Sequence, residues 1–215
     1  MAQQDAVSSE RTNVIWEALA WTGYEHLCFE EWTTGYGYTI DGLIIAALQN
    51  QPSRTWYRIE VDENWDVDSL QLAHTLESTS PGDGPIDLQA RSIELVRTHD
   101  GIWDHNIYDE STVLNGCADI DIAVTPFTNT LPIRRLNLEV GASAEVDVVY
   151  VTVPDLTLSP APQRYTRLDD RLYHFESLDS GYTADITVDD HGLVTDYPGL
   201  FRRVWPESDS PMRKN

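Results

Sequence analysis

Short runs of alternating apolar and polar residues, cut by Gly, Pro, Asp and Asn, constrain this chain more than anything else in it. Tyr24-Glu25-His26-Leu27-Cys28-Phe29-Glu30-Glu31-Trp32 is one such run. Successive strand side chains point to opposite faces, so alternation of this kind lays one apolar row against a core. Tyr36 to Leu48, Trp56 to Val61, Trp65 to Glu77, Ile86 to Arg97 and Ile102-Trp103 read the same way. So do Cys117 to Val124, Val146 to Val153, Gln163 to Leu168, Arg171 to Leu178, Tyr182 to Val188 and Leu193 to Tyr197. Turns fall at Asp62-Glu63-Asn64, His99-Asp100-Gly101, Asp179-Ser180-Gly181 and Asp189-Asp190-His191-Gly192, and Ser78 to Pro85 is a loop by composition. No segment keeps a 3.6-residue period, and Asn13 to Trp21, compatible with helix or strand, is read as a strand. The expectation is an all-β chain of roughly a dozen strands with few short helices, forming a sandwich or a barrel.

No shift of composition marks a boundary. The 215 residues are read as one domain over 13–205, with polar tails at 1–12 and 206–215. Ile59-x-Val61-Asp62, a turn, then Val67 echoes Ile186-x-Val188-Asp189, a turn, then Val194. This is either a diverged repeat or two hairpins obeying the same rules.

The formal net charge is −22, from 36 acidic and 14 basic side chains. Such a field repels nucleic acid and anionic membrane surfaces, so neither is expected as a partner. Thirteen of the basic residues are Arg and only Lys214 is Lys, while Asp outnumbers Glu 22 to 14. Compact hydrated acids without long Lys stems suit high salt, where the Debye length falls to ~3 Å at 1 M. A salt-adapted, halophile-type, cytoplasmic protein is the expectation. Two cysteines, Cys28 and Cys117, do not make a disulfide framework and are read as buried free thiols. No signal-type apolar stretch opens the chain. Its longest apolar island, Gly42 to Leu48, is too short to span a bilayer.

Against this acidic background stands Thr125-Pro126-Phe127-Thr128-Asn129-Thr130-Leu131-Pro132-Ile133-Arg134-Arg135-Leu136, basic and proline-rich. It follows the acidic strand Ala118-Asp119-Ile120-Asp121-Ile122. If Arg134 and Arg135 are extended, one points inward and needs a partner, for which Asp119 or Asp121 are the candidates. The other can offer its fork to an anionic or hydroxylated group. Asp119 and Asp121 share a strand face and could instead act as an acid/base or metal-ligand pair, although no His accompanies them. His99 and His105 flank Trp103 in a loop that reads as a solvated hairpin tip. No Gly-x-Ser-x-Gly, phosphate-cradling loop, His-Glu-x-x-His or Cys-x-x-Cys is present. No catalytic residue, metal or cofactor is assigned.

Several of these segments together carry a resemblance. Gly116 to Asp121, Thr125 to Leu136, Val153-Pro154-Asp155-Leu156, Gln163-Arg164-Tyr165, Trp21 to Glu25 and Gly192-Leu193-Val194-x-Asp196-Tyr197-Pro198 are similar to a glycolipid-binding family, formerly a domain of unknown function. The resemblance covers residues 14 to 205. It implies a large curved antiparallel sheet forming a barrel or half-barrel, and a glycolipid, lipid or sugar-like small molecule as partner. The expected reading is a binding protein with an apolar hollow and an arginine-lined polar mouth. Its candidate ligand-binding residues are Arg134, Arg135, Asp119, Asp121, Thr128, Asn129, Gln163, Arg164, Tyr165 and Glu25. Two alternatives stand beside it. One is an enzyme using Asp119 or Asp121 with Arg134 or Arg135; the other is a purely architectural motif.

Overall fold

The structure, a computed structural model, describes residues 11–77, 88–106 and 114–207. Its strands are β1 (Arg11–Ala18), β2 (Gly23–Glu31), β3 (Gly37–Leu48), β4 (Gln51–Asp62), β5 (Val67–Glu77), β6 (Leu88–Arg97), β7 (Trp103–His105) and β8 (Asp119–Ile122), followed by β9 (Ser143–Val151), β10 (Leu158–Asp169), β11 (Leu172–Ser177), β12 (Thr183–Val188), β13 (Val194–Tyr197) and β14 (Phe201–Trp205). A 3-10 turn at Phe127–Asn129 leads into one helix, α1 (Thr130–Leu136).

All fourteen strands belong to one sheet, ordered β7-β6-β5-β4-β3-β2-β1-β14-β13-β12-β11-β10-β9-β8. Two up-and-down meanders, β1–β7 and β9–β14, are joined where β1 pairs with β14. Neighbours are antiparallel except β8 and β9, which run parallel. The ladder does not close. Among the described residues the Trp103 indole Nε1, on β7, donates to the Cys117 carbonyl just before β8 at 2.9 Å. The curved open sheet agrees with the expected half-barrel.

Alternation does the work the sequence suggested. On β2, Glu25, Leu27 and Phe29 are buried while Tyr24 and His26 are exposed. On β4, Ser53, Thr55, Tyr57, Ile59 and Val61 form the inner row. Gly42 is required here, because a Cβ at that position would lie 2.3 Å from the ring of Tyr57, its partner on β4. Both cysteines are free; Cys117 is buried, whereas Cys28 falls on the outward row of β2 and is half-buried.

Four details depart from the sequence reading. Arg11 and Thr12, expected in the tail, pair with Glu30 and Phe29 of β2. Phe201–Trp205 forms an unforeseen strand that joins the two meanders. Strand β10 starts five residues before the expected Gln163, although it carries Pro160 and Pro162. Ladder pairing with β11 begins at Gln163, and Pro162 meets the residue after β11 only as an acceptor, from the Leu178 N–H at 2.9 Å, so the missing proline donors fall outside that ladder. The fourth is the helix, described below. The Ser78 to Pro85 loop and the outer parts of both tails lie outside the described residues.

The concave side is not an open hollow. Phe127 and Leu131 are fully buried in the core formed chiefly by β1–β6, and Ile133 enters a second core under β9–β14. Burying side chains of that size contributes about 1.5–3 kcal/mol each. The motif segment therefore fills the sheet as a plug and leaves openings at its two ends.

Candidate functional site

The motif folds as a turn and a helix rather than as an extended crossing. Pro126 precedes the 3-10 turn, and Pro132 falls within the first four helical residues, where backbone N–H groups lack intrahelical acceptors. Asn137 ends the helix in the left-handed region at φ 42°. Arg134 and Arg135 occupy the last turn, a position that favours cations. Consecutive helical residues project about 100° apart, so the two guanidiniums reach different surroundings.

Arg135 turns to β8. Its Nε donates to Asp119 Oδ1 at 3.0 Å and its Nη2 to Asp119 Oδ2 at 2.7 Å, a bidentate fork. The Asp119 side chain is 0% exposed and that of Arg135 is 19% exposed. Burial pushes the Asp119 carboxyl up, the two guanidinium bonds pull it back, and the same bonds raise Arg135. This pair pins the helix to the sheet edge.

Arg134 is held differently. Its guanidinium lies 4.9 Å above the centre of the Trp65 ring. Trp65 belongs to a cluster with Phe29 and Tyr38, ring centroids 5.1–5.7 Å apart. On its other side the Arg134 stem packs on Gly192, where a Cβ would sit 3.0 Å from Cδ. Trp65 and Gly192 occupy equivalent places in the two hairpins that echo each other in sequence. Asp62 Oδ1 accepts from the backbone of Asn64 and Asp66, and Asp189 Oδ1 from that of His191 and Leu193. Trp65 and Gly192 are the positive-φ residues of these turns, at 69° and 76°. One such turn from each meander thus grips Arg134.

Around this arginine opens a cleft of about 780 Å³ of mixed charge, where Arg135, Arg167 and Arg171 stand beside Glu63, Asp170, Asp189 and Asp190, with Tyr38, Asn64, Asn137 and Tyr173 between them. A smaller hollow of about 110 Å³ adjoins it across Tyr38, Trp65 and Arg134. Most of its arginines are engaged. Arg171 pairs with Asp190 at 2.5 Å, and Arg167 donates to the carbonyls of Leu138 and Asp170 at 2.8 and 3.0 Å. Arg134 has no carboxylate partner among the described residues.

At the opposite end of β11 lies a cavity of about 370 Å³. Here Asp121 Oδ1 accepts from Thr128 Oγ1 at 3.1 Å and Oδ2 from Gln163 Nε2 at 2.7 Å. The Tyr165 hydroxyl completes the network, within hydrogen-bond distance of Asn129 Oδ1 (3.1 Å) and Gln163 Oε1 (3.2 Å). Thr125, on the same wall, donates to Glu25 Oε1 at 2.9 Å, and the Tyr57 hydroxyl donates to that oxygen too. Glu25 Oε2 is buried with no partner among the described residues. Burial pushes the Glu25 carboxyl up to about 7 against the pull of these two bonds. Among the described residues no group of three or more His, Cys, Asp or Glu side chains gathers as a metal site, and no helix is long and apolar enough to cross a membrane.

The model of the family described as "Putative glycolipid-binding" matches residues 13–203. The chain belongs to that family. A crystal structure of a DUF1089 family protein from Pseudomonas aeruginosa is similar to this glycolipid-binding-family chain. It is 33% identical, covers 85% of this chain and 92% of its own, and has a TM-score of 0.69. Among curated proteins none matches.

In this member of the glycolipid-binding family the expected residues separate into five places. Asp121, Thr128, Asn129, Gln163 and Tyr165 form one network at the smaller cavity. Asp119 and Arg135 form the buried pair, and Arg134 stands in the cleft. Glu25 bonds Tyr57 and Thr125, away from Asp119 and Arg135. Arg164 lies apart from both openings, bridging Glu145 and Glu176 across neighbouring strands. The sequence reading passed over Trp65, Tyr38, Gly192, Tyr57 and Thr125 as site residues. The paired Asp turns were the signal for Trp65 and Gly192, since both begin at the echoed aspartates.

Proposed function

We propose that this protein binds a glycolipid-like amphiphile and that its anionic or hydroxylated head group is received by Arg134 in the larger cleft. The observation that carries the reading is the contrast between neighbours. Arg135 is neutralised inside the fold, whereas Arg134 is oriented by Trp65 and Gly192 and keeps its donors for a ligand. Asn64 and Asn137 add polar groups to the same lining, and Tyr38, Trp65 and Tyr173 add aromatic surface for a sugar ring or the start of an acyl chain. The family description points to the same ligand class. Acid/base chemistry by Asp119 has less support, because both of its carboxylate oxygens are engaged by Arg135. Organic extraction of the purified protein followed by mass spectrometry, and titration with a sulfated alkyl glycoside beside its neutral parent, test the proposal. Binding of the sulfated form that drops at least tenfold in Arg134→Gln supports it. Equal binding by wild type and variant overturns it.

The same reading extends to solvent. A chain of net charge −22 with one Lys is held as a salt-adapted protein. Its melting temperature is expected to rise with KCl up to about 1 M, as repulsion is screened; full stability in dilute buffer would contradict this.

A further inference from the structure

The smaller cavity differs chemically from the cleft. Among the described residues its lining holds Asp121 and Asp179 but no Arg, Lys or His. Two other acids of the interior are matched to arginine, Asp119 with Arg135 and Asp189 with Arg203 at 2.5 Å, whereas Glu25 has only the hydroxyls of Tyr57 and Thr125. Asp121 has only the neutral donors of Thr128 and Gln163. A carboxylate offers about four acceptor positions, so about two stay open. Burial pushes this carboxyl up, as expected for an anion lacking a counter-charge. Around it stand Tyr150, Phe175, Tyr197 and Phe201. Phe175 and Phe201 each lie 6.3 Å from the Tyr197 ring, centroid to centroid, so the cavity has a continuous aromatic wall.

A carboxylate without a cationic partner, in the lining of a cavity that also holds several aromatic rings, is an arrangement that stabilises an organic cation. The charge would satisfy Asp121, and the ring faces would attract it further. A neutral polyol could donate hydrogen bonds to the open positions but would leave the carboxylate's charge unmatched. We propose that this cavity is a second ligand site, selective for a small organic ammonium group. At about 370 Å³ it is near the lower end of small-molecule sites, which suits a compact head rather than a chain. The site stands on residues other than those of the cleft and does not depend on the reading given to Arg134.

Choline and its neutral carbon isostere 3,3-dimethyl-1-butanol provide the test, titrated against the full chain at constant ionic strength in KCl and followed by calorimetry and by Tyr and Trp fluorescence. The expected result is choline binding at least tenfold tighter than the isostere. It should be lost in Asp121→Asn, weakened several-fold in Tyr197→Leu and unchanged in Arg134→Gln. The comparison of choline with its isostere needs only the wild-type protein, so it stands even where Asp121→Asn fails to fold. Equal affinity for the two probes, or no choline binding by wild type, overturns the proposal. So does choline binding that survives in a folded Asp121→Asn protein.

Discussion

The two ends of the motif segment make opposite use of buried charge. At the helical end, Arg135 and Asp119 neutralise each other in a bidentate pair, and the adjacent Arg134 is left facing a cleft. At the turn end, Glu25 is buried and Asp121 half-buried; among the described residues neither pairs with a cation, and hydroxyls and an amide hold them. The first end gains position from ion pairing and then presents a charge. The second keeps carboxyl groups whose protonation is sensitive to their surroundings. The same short segment therefore produces an arginine cleft and an acidic aromatic cavity at opposite ends of one sheet.

The largest effect that breaks this contrast is expected from Arg135→Ala. It strands a buried carboxylate and should lower unfolding free energy by about 3–5 kcal/mol in denaturant titrations. Replacing both partners, Asp119→Leu with Arg135→Met, should recover most of that loss, since a buried pair is often replaceable by apolar groups. Failure of the double variant to recover would mean that the pair specifies the helix position rather than only neutralising charge.

Glu25 sharpens the other side. Its carboxyl, pushed up to about 7, keeps a proton in the folded chain that the unfolded chain releases near its ordinary 4.5. Folding takes up that proton between the two values. Glu25's contribution to stability is therefore complete below about pH 4.5 and is lost as pH rises through 7. A slope amounting to roughly 3 kcal/mol across that window should vanish in Glu25→Gln, as read from denaturant midpoints at several pH values. An unchanged slope would show that Glu25 is not the group responsible.

Gly192→Ala tests the clamp on Arg134. The left-handed backbone at φ 76° and the approach of the Arg134 stem should together cost roughly 1–2 kcal/mol of stability and displace the guanidinium. The smallest effect on stability is expected from Arg134→Ala itself, about 0.5–1 kcal/mol for the lost stacking on Trp65. A loss as large as that of Arg135→Ala would erase the distinction between the two arginines.

The all-β character, the inner and outer faces of most strands and the Asp turns followed from local pattern, because alternation and turn chemistry act over a few residues. The partnership of Arg135 with Asp119 was among the pairs that the sequence allowed, since an inward arginine in this chain must meet one of two nearby acids. The helix was missed because seven residues carry too little periodicity, and Pro132 reads as a breaker until its place in the first turn is known. Strand β10 was shortened in the reading for a related reason: two prolines are tolerated only because the neighbouring strand has not yet begun. Which strands meet across the plug, that Trp65 and Gly192 grip one arginine from two meanders, and that Asp121 and Asp119 belong to different sites were decided by the curvature of the sheet. Arg134 meets Trp65 from 69 positions away and Gly192 from 58 positions away, and no local preference encodes such contacts. Only the packing of the two meanders against the motif brings them together.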